Sequence, residues 1–352
     1  MHSFQIGILG ATGAVGQKFI RLLQNHPWFN IKALGASERS SGKKYKEAAH
    51  WIEAIELPEN VADMQVSECD PVAFKGVDFV FSGLDSSVAT EIERSFAEAG
   101  IPVISNAKNY RMDESVPLMI PEVNPDHAGL IKTQSFSDDG SGWIVTNPNC
   151  VSVPLAMSLK PLQDAFGLRS VVVTSMQSVS GAGYPGVSSL DIIANVIPFI
   201  GGEEDKVQTE SAKLLGAFDS GKIQFAEIDI QATAVRVPTI EGHLLSVSVD
   251  LAKTPSAISE VSRAFTEWES PIAGLDLPSS PKNPVRLYTE NRFPQPRLHA
   301  DREGGMQTAI GRLREGTVLD IGYVTMAHNT VRGAAGGAIL NAELLAAKEF
   351  IK

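Results

Sequence analysis

The sequence has few cysteines, more acidic than basic residues and no long apolar run. Its 352 residues include two cysteines, Cys69 and Cys150, which are too few for a disulfide framework. Thirty basic against 41 acidic residues give a net charge of −11, which argues against non-specific binding to nucleic acid or an anionic membrane. The apolar runs fall far below the ~20 residues of a membrane helix, and the first residues lack a secretory pattern. We therefore expect a cytoplasmic protein.

What is present is enough apolar sequence, 43% of the residues, for two ordinary domains. A short apolar strand, Phe4–Leu9, leads into the glycine turn Gly10-Ala-Thr-Gly-Ala-Val-Gly16, and a helical pattern follows. Glycines let the backbone approach a pyrophosphate, and the helix N-terminus attracts its charge. Further strand candidates alternate with helical stretches such as 87–99, so the pattern predicts parallel βαβ units that bind a dinucleotide.

The sequence after the second predicted strand favours NADP over NAD. An NAD site places an acidic residue about 20 positions beyond the glycine turn, whereas a 2′-phosphate needs donors and positive charge. This chain has Ser37, Arg39 and Ser40 there, although the neighbouring Glu38 keeps NAD open as an alternative. A solvated charged loop is the non-functional alternative.

A lone cysteine follows the strand Ile144–Thr146 and the turn Asn147-Pro-Asn149, where a helix is expected to begin. Unpaired N–H groups and the helix dipole favour a thiolate, so we expect a lowered pKa for Cys150 and an oxyanion site beside it. A buried structural cysteine is the alternative on residue type alone. His243, beside a short turn, is the natural acid or base for such a cysteine. Arg236 could hold a carboxylate with two hydrogen bonds or form a surface salt bridge.

Several motifs together resemble the aspartate-semialdehyde dehydrogenase family, in its archaeal and fungal branch. The resemblance rests on Asn147-Pro-Asn-Cys150, on Gln177 with the following Ser-Val-Ser-Gly-Ala-Gly-Tyr-Pro-Gly, on Arg236-Val-Pro with His243, and on His328-Asn-Thr-Val-Arg-Gly-Ala-Ala-Gly336. It implies NADPH-dependent conversion of L-aspartyl-4-phosphate to aspartate 4-semialdehyde and phosphate, on the route to lysine, threonine, methionine and isoleucine. A thioester on Cys150 would be the intermediate.

The resemblance also implies roles for other residues. Cys150 is the nucleophile, His243 transfers the proton, and Gln177 orients the substrate and the intermediate. Glu203 meets the substrate amino group, although Glu204 is a second candidate, and Arg236 binds the α-carboxylate. The implied phosphate ligands are Lys206 and Arg111, with Lys108 as an alternative, and Asn149 is a further substrate contact. The implied cofactor contacts are Gly10, Thr12, Gly13, Ala14, Val15, Ser37, Arg39, Ser40, Ser180, Gly181 and Asn329.

The order of elements predicts an α/β protein with a Rossmann-like dinucleotide-binding domain and an α+β catalytic and dimerisation domain, similar in plan to glyceraldehyde-3-phosphate dehydrogenase. We expect residues 1–149 and 330–352 to form the first domain and residues 150–329 the second. The resemblance implies a homodimer or homotetramer. No metal site is expected, because neither cysteine has a second cysteine or a histidine at ligand spacing.

Other functions stay open at this point. A malonyl-CoA reductase or an N-acetylglutamyl-phosphate reductase would use the same thioester chemistry, although Glu203 favours a substrate with a free ammonium. A cysteine hydrolase would leave the glycine turn without a purpose. A catalytically silent nucleotide-binding relative would be expected to lack Cys150, Gln177, Arg236 or His243.

Overall fold

The structure is a computed structural model that describes residues 3–351. The elements of the first half are β1 (Phe4–Leu9), α1 (Ala14–Leu23), β2 (Phe29–Ala36), α2 (Tyr45–Ala48), α3 (Glu59–Ala62), β3 (Val66–Glu68), β4 (Phe79–Ser82), α4 (Ser86–Glu98), β5 (Val103–Ser105) and β6 (Ile144–Thr146). Short 3₁₀ segments at Pro71–Phe74 and Pro125–Thr133 connect them.

The second half adds α5 (Ser152–Phe166), β7 (Leu168–Gln177), α6 (Ser189–Ile192), α7 (Glu203–Leu214), β8 (Ala217–Asp219), β9 (Lys222–Gln224), β10 (Asp229–Arg236), β11 (His243–Leu251), α8 (Ile258–Thr266), β12 (Val285–Leu287), α9 (Pro296–His299), β13 (Thr308–Glu315), β14 (Ile321–Ala327) and α10 (Gly336–Ala347). In the part of the chain that the structure describes, the helices fall short of a membrane span in length or apolar character.

The first sheet is parallel throughout, in the order β3-β2-β1-β4-β5-β6. This order is typical of a dinucleotide-binding fold, in which ligands bind outside the carboxyl ends of the strands. β1 ends at Leu9, and Gly10 follows with a φ of +72°, a conformation that glycine adopts without strain. The predicted βαβ arrangement is confirmed, and the glycine turn lies at the ligand-binding edge.

The second sheet is mixed, in the order β10-β7-β11-β14-β13-β12. β7 alternates between buried residues such as Val171 and Val173 and an outward face on which Val172 is 43% exposed. The buried side packs with α5 and with the apolar residues of β11. This is the α+β unit that the sequence predicted, and its sheet keeps one open face.

The last helix returns to the first sheet. Ile339, Leu340 and Leu344 of α10 lie in one cluster with Ile6 of β1 and Phe19 of α1. Some packing crosses between the two halves. Residues 272 and 277 of the second half belong to this cluster, and residues 118, 120 and 123 of the first half belong to the core of the second sheet. The domain boundaries at residues 149/150 and 329/330 stay a prediction.

A buried ion pair fixes the segment before α10. Arg332 lies in a π-helical turn, Val331–Ala335, and its Nη1 lies 2.8 Å from Oε1 of Glu122 with both side chains 1% exposed. The same turn brings Gly333 so close to Cys150 that an added Cβ would lie 2.8 Å from that of the cysteine. The ion pair therefore anchors the backbone that packs against Cys150.

Removing one partner of this pair leaves an uncompensated buried charge. We expect Arg332→Met to lower the free energy of unfolding by about 3–5 kcal/mol. The double variant Arg332→Met/Glu122→Leu should recover much of that loss, because neither charge remains. Urea unfolding of the three proteins measures both effects. A double variant as unstable as Arg332→Met would contradict this reading.

Candidate active site

Cys150 lies in the turn between β6 and α5, two residues before the first helical residue, Ser152. Its Sγ is 3.1 Å from Nε2 of His243, the first residue of β11. These residues lie 93 positions apart in the chain, and the structure brings them together as the sequence predicted. Cys150 also lines a cavity of about 610 Å³ between the two halves of the chain.

The hydrogen bonds of His243 indicate its tautomer. The backbone N–H of Ser178 lies 3.1 Å from Nδ1 of His243, and Oγ of Ser178 lies 3.0 Å from the same nitrogen. Because a backbone N–H can only donate, Nδ1 accepts, and a neutral ring then carries its hydrogen on Nε2. The histidine therefore directs an N–H toward the sulfur of Cys150.

Burial controls the charge of both groups. It raises the pKa of the Cys150 thiol to about 12, with a contribution from the carboxylate of Glu203, while Arg111 and Arg236 act in the opposite direction. Burial also lowers the pKa of His243 to about 3, and the positive charge of Arg236 adds to this effect. The resting pair is thus a thiol and a neutral imidazole. The expectation of a lowered cysteine pKa was wrong. Loss of solvation raises the pKa more than the N–H groups and the dipole at the start of α5 lower it.

Glu203, the first residue of α7, is hydrogen-bonded to the turn that carries Cys150. Its carboxylate accepts hydrogen bonds from Nδ2 of Asn149 at 3.0 Å, Nε2 of Gln177 at 3.3 Å and Nζ of Lys206 at 2.7 Å. Burial opposes its ionisation, yet these donors hold the pKa of Glu203 below its ordinary value. Glu203 is 8% exposed, so its carboxylate is shielded from water as well as hydrogen-bonded.

Two buried arginines flank the cysteine. Arg111 places Nη1 3.0 Å from Oε1 of Glu210 and donates from Nη2 to the carbonyl of Asn106 at 2.8 Å. Arg236, the last residue of β10, donates to the carbonyl of Ser178 at 2.8 Å, and burial lowers its pKa. Arg111 therefore lines the cavity beside Cys150, and Arg236 adds a second positive charge near the cysteine.

The predicted cofactor residues fall into two groups. One group lies at the carboxyl edge of the first sheet, where the turn after β1 holds Thr12 and Gly13 and α1 begins with Ala14 and Val15. Ser37, Arg39 and Ser40 form the neighbouring turn after β2, in which the N–H of Ser40 donates to the carbonyl of Ser37 at 2.8 Å.

The second group closes the cavity near Cys150. Nδ2 of Asn329 donates to Oγ of Ser180 at 2.9 Å, and its Oδ1 accepts from the N–H of Gly242 at 2.9 Å. Gly181 lies against His243, because an added Cβ would lie 2.9 Å from the ring. Ala14, Val15, Ser180, Gly181 and Asn329 all line the cavity, so a dinucleotide that enters along α1 would reach Cys150.

Three residues that hold the site residues in place were missed from the sequence: Ser178, Glu210 and Lys213. The latter two follow Glu203 and Lys206 at spacings that place all four on one face of α7. That alternation of charge was the available signal. Among residues 3–351 no three His, Cys, Asp or Glu side chains come together as possible metal ligands.

Comparisons with known proteins agree with this geometry. The family model described as "Semialdehyde dehydrogenase, NAD binding domain" matches residues 5–131, and "Semialdehyde dehydrogenase, dimerisation domain" matches residues 159–332. Aspartate-semialdehyde dehydrogenase from Archaeoglobus fulgidus is 50% identical over 348 residues, 99% of each chain. The enzyme from Schizosaccharomyces pombe is 46% identical over 350 residues, 98% of each chain. The crystal structure of aspartate semialdehyde dehydrogenase with NADP from Candida albicans superposes with a TM-score of 0.92 at 43% identity, covering 99% of this chain and 100% of that one.

The raised pKa of Cys150 predicts how its alkylation depends on pH. Because the thiolate is the reactive form, iodoacetamide labelling of the unliganded protein should rise about tenfold per pH unit from about pH 6 to about pH 10. Mass spectrometry of the peptide that contains Cys150 measures this rate, and Cys150→Ala reports the background from Cys69. A rate that is constant across this range would indicate a thiolate–imidazolium pair instead.

Proposed function

The chain belongs to the aspartate-semialdehyde dehydrogenase family, and we propose from that premise which of its residues carry out the reaction. It is an NADP-dependent oxidoreductase of amino-acid biosynthesis that forms L-aspartate 4-semialdehyde and phosphate from L-aspartyl-4-phosphate. The observation that carries the residue assignment is the 3.1 Å contact between Cys150 and His243 in a cavity that α1 and the loop after β7 also line.

Cys150 is the nucleophile in this proposal. Its sulfur attacks the acyl carbon as the thiol gives up its proton, the carbon–oxygen bond to phosphate breaks, and phosphate leaves with the bonding electrons and takes up that proton. Bound NADPH supplies the hydride that reduces the resulting thioester. The carbon–sulfur bond then breaks, which releases the aldehyde and a thiolate, and the thiolate takes up a proton from solvent to restore the resting thiol. The N–H on Nε2 of His243 stabilises negative charge on sulfur at both steps.

The side chains around Cys150 suit the polar groups of the substrate. The proposal assigns Arg236 to the α-carboxylate, Glu203 to the amino group, and Arg111 with Lys206 to the phosphate. Their support is that each is buried or half-buried within the assembly of hydrogen bonds that surrounds the cysteine. Gln177 and Asn149 both donate to Glu203 and would orient the substrate through it.

The residues at the carboxyl edge of the first sheet fit a phosphorylated dinucleotide. Ala14 and Val15 at the start of α1 would receive the diphosphate, since the first N–H groups of a helix have no intrahelical acceptor. The N–H of Gly13 donates to the carbonyl of Gly10 at 3.0 Å, so Gly13 would allow close approach of the backbone rather than supply a donor. Ser37, Arg39 and Ser40 would hold the 2′-phosphate. Ser37 and Arg39 are exposed, so their donors are accessible to a ligand.

We also propose that the protein is a homodimer or a tetramer built from such dimers. The family model that covers the second domain is a dimerisation domain, and the outward face of β7 leaves Val172 43% exposed. The segment after β7 adds four exposed apolar side chains: Leu190 (89%), Ile193 (67%), Val196 (53%) and Phe199 (69%). We call residues 190–199, which carry these four side chains, the apolar arm. A second copy of the chain that covers the apolar arm would bury a patch of a kind that monomers seldom expose. We place the enzyme in the cytoplasm, where the free thiol of Cys150 stays reduced.

The reverse reaction tests the function directly. Aspartate semialdehyde, phosphate and NADP should give phosphate-dependent NADP reduction that Cys150→Ala abolishes and Cys69→Ala preserves. His243→Ala should lower kcat by about 10²–10³-fold, because sulfur loses its hydrogen-bond donor. NAD, N-acetylglutamate semialdehyde, and malonate semialdehyde with CoA are the comparisons. Activity with another aldehyde alone would be consistent with the thioester route but would contradict the proposed substrate. Activity in Cys150→Ala would contradict the assignment of Cys150 as the nucleophile.

The proposed dimer has a test of its own. Substituting charge into the apolar arm, as in Ile193→Glu/Phe199→Glu, should shift the protein toward monomer in sedimentation velocity, because the buried carboxylates would lack partners. Val72→Glu is the matched control, since Val72 is 83% exposed on the first domain. An unchanged assembly in the double variant would remove the arm from the interface.

A further inference from the structure

We propose that Glu210 is a positioning residue that fixes the guanidinium of Arg111 relative to the turn of Cys150. The phosphate group held by Arg111 and the sulfur of Cys150 are then both placed at the same acyl carbon of the substrate. The inference rests on the proposed phosphate role of Arg111. It concerns a residue that touches neither the cysteine sulfur nor the cavity.

The two oxygens of Glu210 serve two different partners. Oε1 lies 3.0 Å from Nη1 of Arg111, and Oε2 accepts the backbone N–H of Asn149 at 2.5 Å. Glu210 is 2% exposed and Arg111 is 9% exposed, so the contact is shielded from water. One carboxylate thus joins the proposed phosphate ligand to the peptide that precedes Cys150.

The Asn149 residue is held from three directions. Besides the bond to Glu210, its Nδ2 donates to Glu203 and its Oδ1 accepts the N–H of Val151 at 2.8 Å. Because both glutamates lie on α7, this helix sets the position of the turn that carries Cys150.

The same helix also holds the backbone of the Arg111 segment. Nζ of Lys213 donates to the carbonyls of Arg111 at 2.8 Å, Asp113 at 2.7 Å and Val116 at 2.8 Å. Glu210 therefore fixes the guanidinium of Arg111 while Lys213 fixes its main chain. Each η nitrogen of Arg111 carries two hydrogens, of which these contacts use one, so the guanidinium keeps donors for an anion in the cavity that it lines.

Glu210→Gln tests the contact with Arg111 apart from the contact with Asn149, because the side chain keeps nearly the same shape. The amide oxygen can still accept the N–H of Asn149, but the amide nitrogen then faces Nη1 of Arg111, where two donors repel. In the reverse reaction we expect the KM for phosphate to rise about tenfold or more, while the KM for NADP changes less than about twofold. Asp205→Asn, exposed on the same helix, is the matched control and should leave both values unchanged.

Arg111→Met and the double variant Arg111→Met/Glu210→Gln decide the route of the effect. If Glu210 acts through Arg111, the phosphate KM of the double variant equals that of Arg111→Met. Additive effects, or a normal phosphate KM in Glu210→Gln while Arg111→Met raises it, would overturn the inference and leave the role of Arg111 standing. A normal phosphate KM in Arg111→Met would instead overturn the proposed role of Arg111 and the inference with it.

Thermal unfolding and NADP binding show whether each variant is folded. If Glu210→Gln does not fold, Glu210→Asp replaces it, because it keeps the charge but shortens the reach by one methylene. Glu210→Asp should also raise the KM for phosphate more than the KM for NADP. A proportional change in both constants would indicate a general structural defect and would count against the inference.

Discussion

The partial burial of the Cys150 thiol is the constraint on which the site depends. A thiolate is the reactive form, yet burial raises the pKa of this thiol to about 12, so the resting site disfavours it. Arg111, Arg236 and an N–H of His243 are the groups that can offset this cost. Each is itself held by backbone or carboxylate partners, which makes the surrounding hydrogen bonds part of the chemistry.

The site draws on segments that lie far apart in the sequence. The turn after β6 supplies the cysteine, β11 supplies the histidine, and α7 supplies the acidic residues that hold the turn. The ion pair between Arg332 and Glu122 then keeps Gly333 against the cysteine. Precision at the reacting atoms thus comes from residues that never touch the substrate.

The sequence allowed prediction of the parallel first sheet, the α+β second unit and the pairing of Cys150 with His243. These features follow from local patterns, such as a strand that leads into a glycine turn, or from motifs that keep their spacing. The roles of Glu210 and Lys213 could not be predicted, because a charged residue on a helix is usually solvated and its partners lie about 100 residues away. The pKa of Cys150 was mispredicted for a related reason: local sequence indicates the helix dipole, whereas burial depends on the whole fold.

The return of α10 to the first sheet has a consequence for how the chain folds during translation. Its apolar residues complete a cluster that begins with Ile6 and Phe19, so the nucleotide-binding unit waits for a segment translated after the whole second sheet. During synthesis the second sheet can assemble while the first still exposes an unfilled groove. The strands that are made first therefore keep part of their apolar surface uncovered until α10 has been translated.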